Sequence, residues 1–564
     1  MFQPATPQPD ALRVVLAFPS TYTVGITSLG YQVVWATLAQ RPDVDVRRLF
    51  TDRSDPPHRK SPALDLFGLS LSWELDGPVL LDLLEQQRIP LWAEERGEED
   101  PIVFGGGPVL TANPEPLAPF FDVVLLGDGE LLLPAFVDAM QGCRGAPRRE
   151  RLRRLAAVRG VYVPSFYAPR YSGEGTLLAI EPTEAGAPAS VERQTWQGNT
   201  LSHSTVITPE AAWPSIHMVE VVRSCPELCR FCLASYLTLP FRTARLEEGL
   251  IPAVEKGLAV TRRLGLLGAS VTQHPQFDEL LVWLDQERFA DVRVSVSSVR
   301  AATVTPPLSR ILANRGCRSL TVAIESGSDR LRSVVNKKLD RQEIFTAAQV
   351  AKDGGLSGLK LYGMVGLPSE EEEDVEATAD LLLALKQATP GLRLTLGVST
   401  FVPKAHTPFQ WEGLRPEADK RLQRLARRLK PKGIELRPES FGWSVIQALL
   451  SRGDRRLAPV LMAVRGQQDS LGAWKRAYRA VLSQEVESAP IPLPPPPPWA
   501  ELVQASWSAD QVLPWEHLSS GLPKTTLWRH HQEALGTKEA AQASEQHPPG
   551  DIDAAVVHRD VRGV

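Results

Sequence analysis

Cysteine is scarce in this chain. Only Cys143, Cys225, Cys229, Cys232 and Cys317 occur among 564 residues, too few for the disulfide framework of a secreted protein. Long hydrophobic runs are missing as well, and none approaches the ~20 residues that a membrane-spanning helix needs. The opening, MFQPATPQPDALRVV, has neither the basic start nor the apolar stretch of a secretory signal, so a cytoplasmic protein without a membrane segment is expected. Charge of one sign is not in excess: the formal net charge of −4 carries no whole-chain signature of a nucleic-acid or membrane partner. Histidine is nearly absent from the first 200 residues, where only His58 occurs, in DPPHRKS.

What is present is length and alternation. At ~150 residues per domain the chain predicts three or four units. LRVVLAF, LDLFGLSLS, PIVFGGGP and FDVVLLGDGE read as short buried strands, separated by amphipathic helical stretches such as PVLLDLLEQQ. That alternation predicts a doubly wound parallel-sheet domain over 1–150, with Gly-rich turns at the carboxyl ends of strands, where such sheets bind ligands. Residues 151–210 read as a connector with a small β element. From 211 to 435 six strands, MVEVVR, LLGASVT, VRVSVSS, SLTVAIE, LKLYGMV and LRLTLGVSTFV, alternate with helices and predict a partial (β/α)6 barrel. Residues 436–535 are expected to be mainly helical, with the polyproline spacer IPLPPPPPW, and 536–564 to form a disordered tail. The fold class is therefore α/β throughout, with a helical C-terminal region.

Three of the five cysteines fall in one short segment, V-V-R-S-Cys225-P-E-L-Cys229-R-F-Cys232, directly after the first barrel strand. Three thiolates on one loop match three irons of a cubane [4Fe–4S] cluster and leave the fourth iron open to an external ligand. A zinc site would call for a fourth Cys or His at similar spacing, and His217 is poorly placed upstream. Cys143 and Cys317 are expected to be small buried apolar residues.

The C-x-x-x-C-x-x-C spacing after a first strand, with aromatic Phe231 before the third cysteine, resembles the radical S-adenosylmethionine (radical SAM) superfamily. That resemblance implies that SAM chelates the open iron through its amino and carboxylate groups. It further implies an external electron donor such as flavodoxin or ferredoxin, and a 5′-deoxyadenosyl radical that takes a hydrogen atom from substrate. SLTVAIESGSDRLRSVVNK resembles the superfamily's fourth-strand segment, with Glu325 at its end. LKLYGMVGLPSE resembles the fifth, which would bring Val365 and Gly366 against adenine. VSVSSVRA would place Ser297 and Arg300 at the third-strand mouth. Where many relatives carry Gly-Gly-Glu, this chain has Gly268, Ala269 and Ser270, so recognition of the SAM amine departs from the pattern.

FGLSLS, PIVFGGGPVLTANPEPL and FDVVLLGDGE resemble the cobalamin-binding-type domain that precedes the barrel in one radical SAM class, with Gly105, Gly106 and Gly107 at the ligand. The histidine motif Asp-x-His-x-x-Gly is lacking. Either cobalamin binds without a histidine ligand, or the domain serves another purpose. The whole layout resembles a bacterial radical SAM family without a settled substrate. Methylthiotransferases, similar in layout, need three more cysteines in the N-terminal domain, where only Cys143 stands.

Other residues leave two readings each. Glu325 either contacts SAM or substrate or forms a barrel-rim salt bridge. His406, in FVPKAHTPFQW with Lys404, is either an acid/base group or a structural histidine. Arg452, Arg455 and Arg456 either meet phosphate or RNA or lie on a solvated helix face. The three competing functions are a radical SAM enzyme, with or without cobalamin; an RNA- or ribosome-modifying enzyme that does not use cobalamin; and an iron–sulfur binding or redox-sensing protein.

Overall fold

The computed structural model describes residues 2–56, 64–485, 490–519 and 521–536. His58 and nearly all of the tail from 536 lie outside them. The chain divides into two compact units. The first takes residues 1–196, 208–214 and 445–521, and the second 197–207, 215–444 and 522–564. The stretch 436–535, read above as one helical region, contributes to both.

The first unit is built on a six-stranded sheet. Its order is Val44–Leu49, Leu12–Ala17, Leu66–Ser70, Ile102–Gly106, Val123–Leu125 and Val161–Tyr162, all parallel except the last. Leu12, Leu66, Phe67, Ile102, Val103 and Val123 are fully buried, as expected of parallel strands covered on both faces. The helix Gly129–Cys143 covers one flank with Leu132, Leu133, Phe136, Val137, Met140 and Cys143, a helical-period apolar stripe. Cys143 is thus part of the packing, as its sequence setting predicted.

The C-terminal helices of this unit correct the reading of the arginine run. Arg452, Arg455 and Arg456 are 1%, 5% and 6% exposed, so they form neither a solvated face nor a phosphate-binding surface. Arg455 Nε lies 2.7 Å from Glu115 Oε2 and its Nη2 donates to Tyr162 Oη at 2.7 Å. Arg456 pairs with Asp454 at 2.7 Å, and Arg452 lies over the Trp507 ring at 3.8 Å. Beyond the polyproline, Trp507 and Trp515 are buried, and Leu518–Ser519 pairs in parallel with Val191–Glu192. The segment after the spacer therefore docks on the N-terminal unit.

The second unit is the partial barrel. His217–Glu220, Arg263–Leu267 and Arg293–Val296 form one parallel sheet. Ser319–Glu325, Gly358–Val365, Arg393–Thr400 and Glu435–Pro438 form another. A parallel bridge between Val299 and Val322 joins the two. Six strands lie where the alternation placed them, except that the second runs over Arg263–Leu267, so that most of LLGASVT is loop and turn, and Glu435–Pro438 adds a seventh at the edge. The helix Arg341–Asp353 shows how locally the segments are specified: Asp340 and Glu343 form a reciprocal capping box at its start.

Candidate active site at the carboxyl end of the barrel strands

The cysteine loop leaves the first barrel strand through a narrow neck. Val222 and Arg223 pair antiparallel with Thr243 and Arg242, so the intervening residues project as one tied loop. Ser224 and Leu228 adopt left-handed φ of 70° and 52°, so the loop turns sharply just before Cys225 and just before Cys229. Tyr236 Oη donates to the Leu228 carbonyl at 3.0 Å, and Cys232 N–H to the Cys229 carbonyl at 2.9 Å. Cys232 then stands at the N-cap position of the helix Leu233–Leu237.

The sulfurs share one electrostatic environment. Cys229 is buried, and Cys225 and Cys232 are half-buried. Burial pushes the Cys229 thiol up to about 12, Lys337 opposes that rise, and Cys232, Glu325 and Cys225 add to it. Burial likewise raises Cys225, a hydrogen bond from the Glu227 backbone opposes the rise, and the neighbouring Cys232 adds to it. Cationic iron in place of the three protons would relieve both the burial and the mutual repulsion. Among the described residues no three His, Cys, Asp or Glu side chains converge on a single metal ion. A cubane does not require that, because each thiolate binds a different iron. The donor set therefore fits a three-cysteine cluster.

A turn over residues 333–338 splints the loop. Asn336 Nδ2 donates to the carbonyls of Glu227 and Leu228 at 3.2 and 3.0 Å. Arg230 N–H meets the Val335 carbonyl at 3.0 Å, and its guanidinium reaches the Ser333 and Val334 carbonyls. Phe231 packs against an apolar cluster of Leu331, Val335, Leu367, Phe401, Phe409 and Ala534, which places it beneath the loop. Glu227, between the first two cysteines, is held by Arg300 at 2.7 Å, by Gln273 Nε2 at 2.5 Å and by Lys338 at 3.8 Å. Arg300 is thus an anchor of the cysteine loop. Ser297 Oγ donates to the Gly268 carbonyl at 2.8 Å. In place of the Gly-Gly-Glu pattern, Ser270 Oγ donates to Gln273 Oε1 at 2.5 Å, and Cys225 Sγ lies 3.9 Å from the same oxygen.

Glu325 ends the fourth barrel strand with φ 62°, where the register with the fifth strand shifts. It pairs with Lys337 at 2.7 Å, both side chains being largely buried. On the fifth strand, the Val365 carbonyl accepts from Phe401 N–H at 2.9 Å, and Gly366 N–H donates to Glu370 at 2.5 Å. These backbone groups are committed within the barrel. His406 is 5% exposed and has φ 61°, its N–H donating to Gln410 Oε1 at 2.9 Å. Cys317 Sγ lies 3.3 Å from the Ser319 carbonyl, at the opposite end of the fourth strand from Glu325. The helix Lys524–Leu535 completes this end of the unit. His531 Nε2 lies 2.8 Å from Glu412, Trp528 stacks on His531, and Glu533 pairs with Arg230 at 3.3 Å.

The glycine turn of the first unit separates into three cases. A Cβ on Gly105 would sit 2.5 Å from Leu110 and Phe121, and one on Gly107 would sit 2.3 Å from the Leu71 carbonyl at φ 109°. The protein's own packing therefore requires both glycines. A Cβ on Gly106 would meet nothing nearer than 3.6 Å, so its half-open face at the sheet's carboxyl edge is free to meet a ligand.

Comparison with known proteins now places this architecture. Residues 219–382 match the radical SAM superfamily, and residues 30–164 match the N-terminal region of radical SAM proteins. Together these spans cover more than half of the chain. An uncharacterised protein of Methanocaldococcus jannaschii is 28% identical over 469 residues, 82% of this chain and 94% of that one. An uncharacterised methyltransferase of Pyrococcus horikoshii is 24% identical over 308 residues, 50% of this chain and 57% of that one. Among solved structures, the radical SAM methyltransferase TsrM of Kitasatospora setae, with cobalamin and a [4Fe–4S] cluster bound, superposes with a TM-score of 0.51. It is 15% identical and covers 83% of this chain and 98% of its own, a likeness of fold. The chain belongs to the radical SAM superfamily, and it is an enzyme of that class. Such enzymes require SAM, an external electron donor and a substrate. Among the described residues no helix is long and apolar enough to cross a membrane.

Proposed function

We propose that Cys225, Cys229 and Cys232 hold one [4Fe–4S] cluster, that SAM binds its open iron, and that the enzyme uses the resulting radical to modify a substrate. The carrying observation is the cysteine loop itself: three sulfurs, one of them buried, on a tied loop at the carboxyl ends of the barrel strands. When bound, the reduced cluster supplies one electron to the SAM sulfonium, whose S–C5′ bond breaks to give methionine and a 5′-deoxyadenosyl radical that takes a hydrogen atom from substrate. The chain's own residues hold the loop rigid through Asn336, Arg230 and the Arg300–Glu227 pair. The apolar cluster under Phe231 and the helix Lys524–Leu535 keep water from the loop's underside. Ser297, Val365 and Gly366 line the strand ends where SAM is read to lie, and Glu325 and His406 are the candidate groups toward SAM or substrate.

For the first unit, cobalamin is the ligand that best suits an open Gly106 at a doubly wound sheet's carboxyl edge, bound without a histidine ligand from the described residues. A flavodoxin or ferredoxin suits the electron requirement, and the reducing cytoplasm suits an oxygen-sensitive cluster. The reaction that suits such an N-terminal domain is methyl transfer or rearrangement on a small-molecule or macromolecular substrate still to be identified.

Anaerobic reconstitution tests the reading. Wild-type protein should bind about four irons and four sulfides and release 5′-deoxyadenosine on reduction with SAM. Cys225→Ala, Cys229→Ala and Cys232→Ala should lose both, while Cys143→Ala and Cys317→Ala should keep the iron. Half the iron lost in Cys143→Ala would mean a second cluster and refute the assignment.

A further inference from the structure

Lys337 and Glu325 form a buried ion pair beside the cysteine loop, and Lys337 has no part in the reading above. The turn carrying Lys337 is fixed to that loop by the Asn336 amide and by the Arg230–Val335 hydrogen bond, so the backbone at Lys337 is held beside it. Its nitrogen sits 2.7 Å from Glu325 Oε1, with the two side chains 14% and 9% exposed. Toward the loop it faces Cys229 and Cys232, whose thiolates favour its charge as Glu325 does. The other ionic groups around the loop are already matched: Glu227 by Arg300 and Lys338, and Arg230 by Glu533. Among the described residues Lys337 is therefore a cation facing the sulfurs, and Glu325 is the anion that partly offsets it.

We propose that the Lys337–Glu325 pair sets the reduction potential of the cluster held by these cysteines, with Lys337 as a positioning residue that favours the reduced state and Glu325 as the brake upon it. The proposal rests on the three-cysteine reading above. Reduction adds one negative charge to the cluster, and cluster potentials respond to net charge, hydrogen bonding and burial around the sulfurs. In a site this buried a unit charge is weakly screened. Removing the ammonium leaves Glu325 uncompensated beside the added electron, so reduction becomes harder. Removing the carboxylate leaves Lys337 wholly available to the sulfurs, so reduction becomes easier.

The test is anaerobic redox titration of the reconstituted full-length protein without SAM, followed by the electron paramagnetic resonance signal of the reduced cluster. Lys337→Met should reduce the reduced-to-oxidised ratio at a fixed potential about tenfold, which is about 59 mV more negative for one electron. Glu325→Gln should shift the midpoint the opposite way. The double variant should return toward wild type, and Lys337→Arg should keep the wild-type midpoint. If Lys337→Met fails to fold, the Glu325→Gln shift alone decides the sign. Midpoints of Lys337→Met or Glu325→Gln equal to wild type, with the cluster intact, would overturn the proposal. A wild-type protein that takes up no cluster would instead overturn the reading beneath it.

Discussion

Replacing Arg455 by Met removes the guanidinium that pairs with Glu115, a carboxylate with no solvent exposure. Burial alone would raise that carboxyl, but Arg455 and then His517 reverse the effect and hold it at about 2 instead of 4.5. The difference amounts to about 3 kcal/mol of folding free energy at neutral pH. Direct measurements on buried pairs that lose one partner give about 3–5 kcal/mol, so the two routes agree. The sign with pH follows from the same group. In wild type the lowered carboxyl contributes stability that is present above 4.5 and lost as pH falls through about 2. In Arg455→Met the buried carboxyl, left with the Tyr162 hydroxyl and His517 but without its guanidinium, is driven to take up a proton in the folded state, at a cost that grows above 4.5. The gap between variant and wild type should therefore be about 2–3 kcal/mol smaller at pH 5 than at pH 7. Urea unfolding at both pH values measures it, and hydrogen exchange of the helix Ala458–Val464 reports the unit concerned. Glu115→Gln combined with Arg455→Met should recover part of the loss. A deficit below about 1 kcal/mol, or one that does not change between pH 5 and 7, would refute the account of Arg455 as a buried clamp.

Two further perturbations separate packing from ligand binding. Gly107→Ala should destabilise the first unit by about 1–3 kcal/mol, from a left-handed backbone and a carbonyl clash, whereas Gly106→Ala should leave its thermal midpoint unchanged. Gly106→Phe should abolish cobalamin uptake while sparing iron, and unchanged uptake, or none by the wild type, would count against that ligand. Ending the chain after Gly521 deletes the helix Lys524–Leu535, with the His531–Glu412 and Arg230–Glu533 pairs. Iron retention by the remaining barrel should then fall severalfold on gel filtration, and full retention would show that the helix is dispensable to the loop.

The architecture was largely legible because parallel strands buried on both faces are near-continuous apolar runs, and LRVVLAF or LKLYGMV have no alternative use. Glu435–Pro438 escaped because an edge strand with one buried residue has no such run. The cysteines identified themselves by spacing. The residues that hold their loop did not: Asn336, Gln273 and Glu227 act through single hydrogen bonds across the fold, which no local pattern encodes. Lys337 was visible in the string SVVNK, but its pairing with Glu325 depends on a register shift at the strand end. The arginine run misled because hydrophilic residues on a helix usually face water, and only the distant Glu115 and Trp507 show why these do not. Among the glycines, the sequence could not separate Gly106 from its neighbours, since only the positions of Leu71, Leu110 and Phe121 distinguish them.

The apolar cluster beneath Phe231 has a consequence for the order in which the enzyme is made. Ala534 closes a cluster whose other members lie between Leu331 and Phe409, and Glu533 grips Arg230 in the cysteine loop itself. Translation delivers Cys225, Cys229 and Cys232 long before it delivers either partner. While the ribosome is still working through the barrel, the loop is therefore without its last buttress. Iron delivered at that stage would meet thiols on a loop that still lacks the Glu533 contact to Arg230 and the Ala534 side of the cluster beneath Phe231.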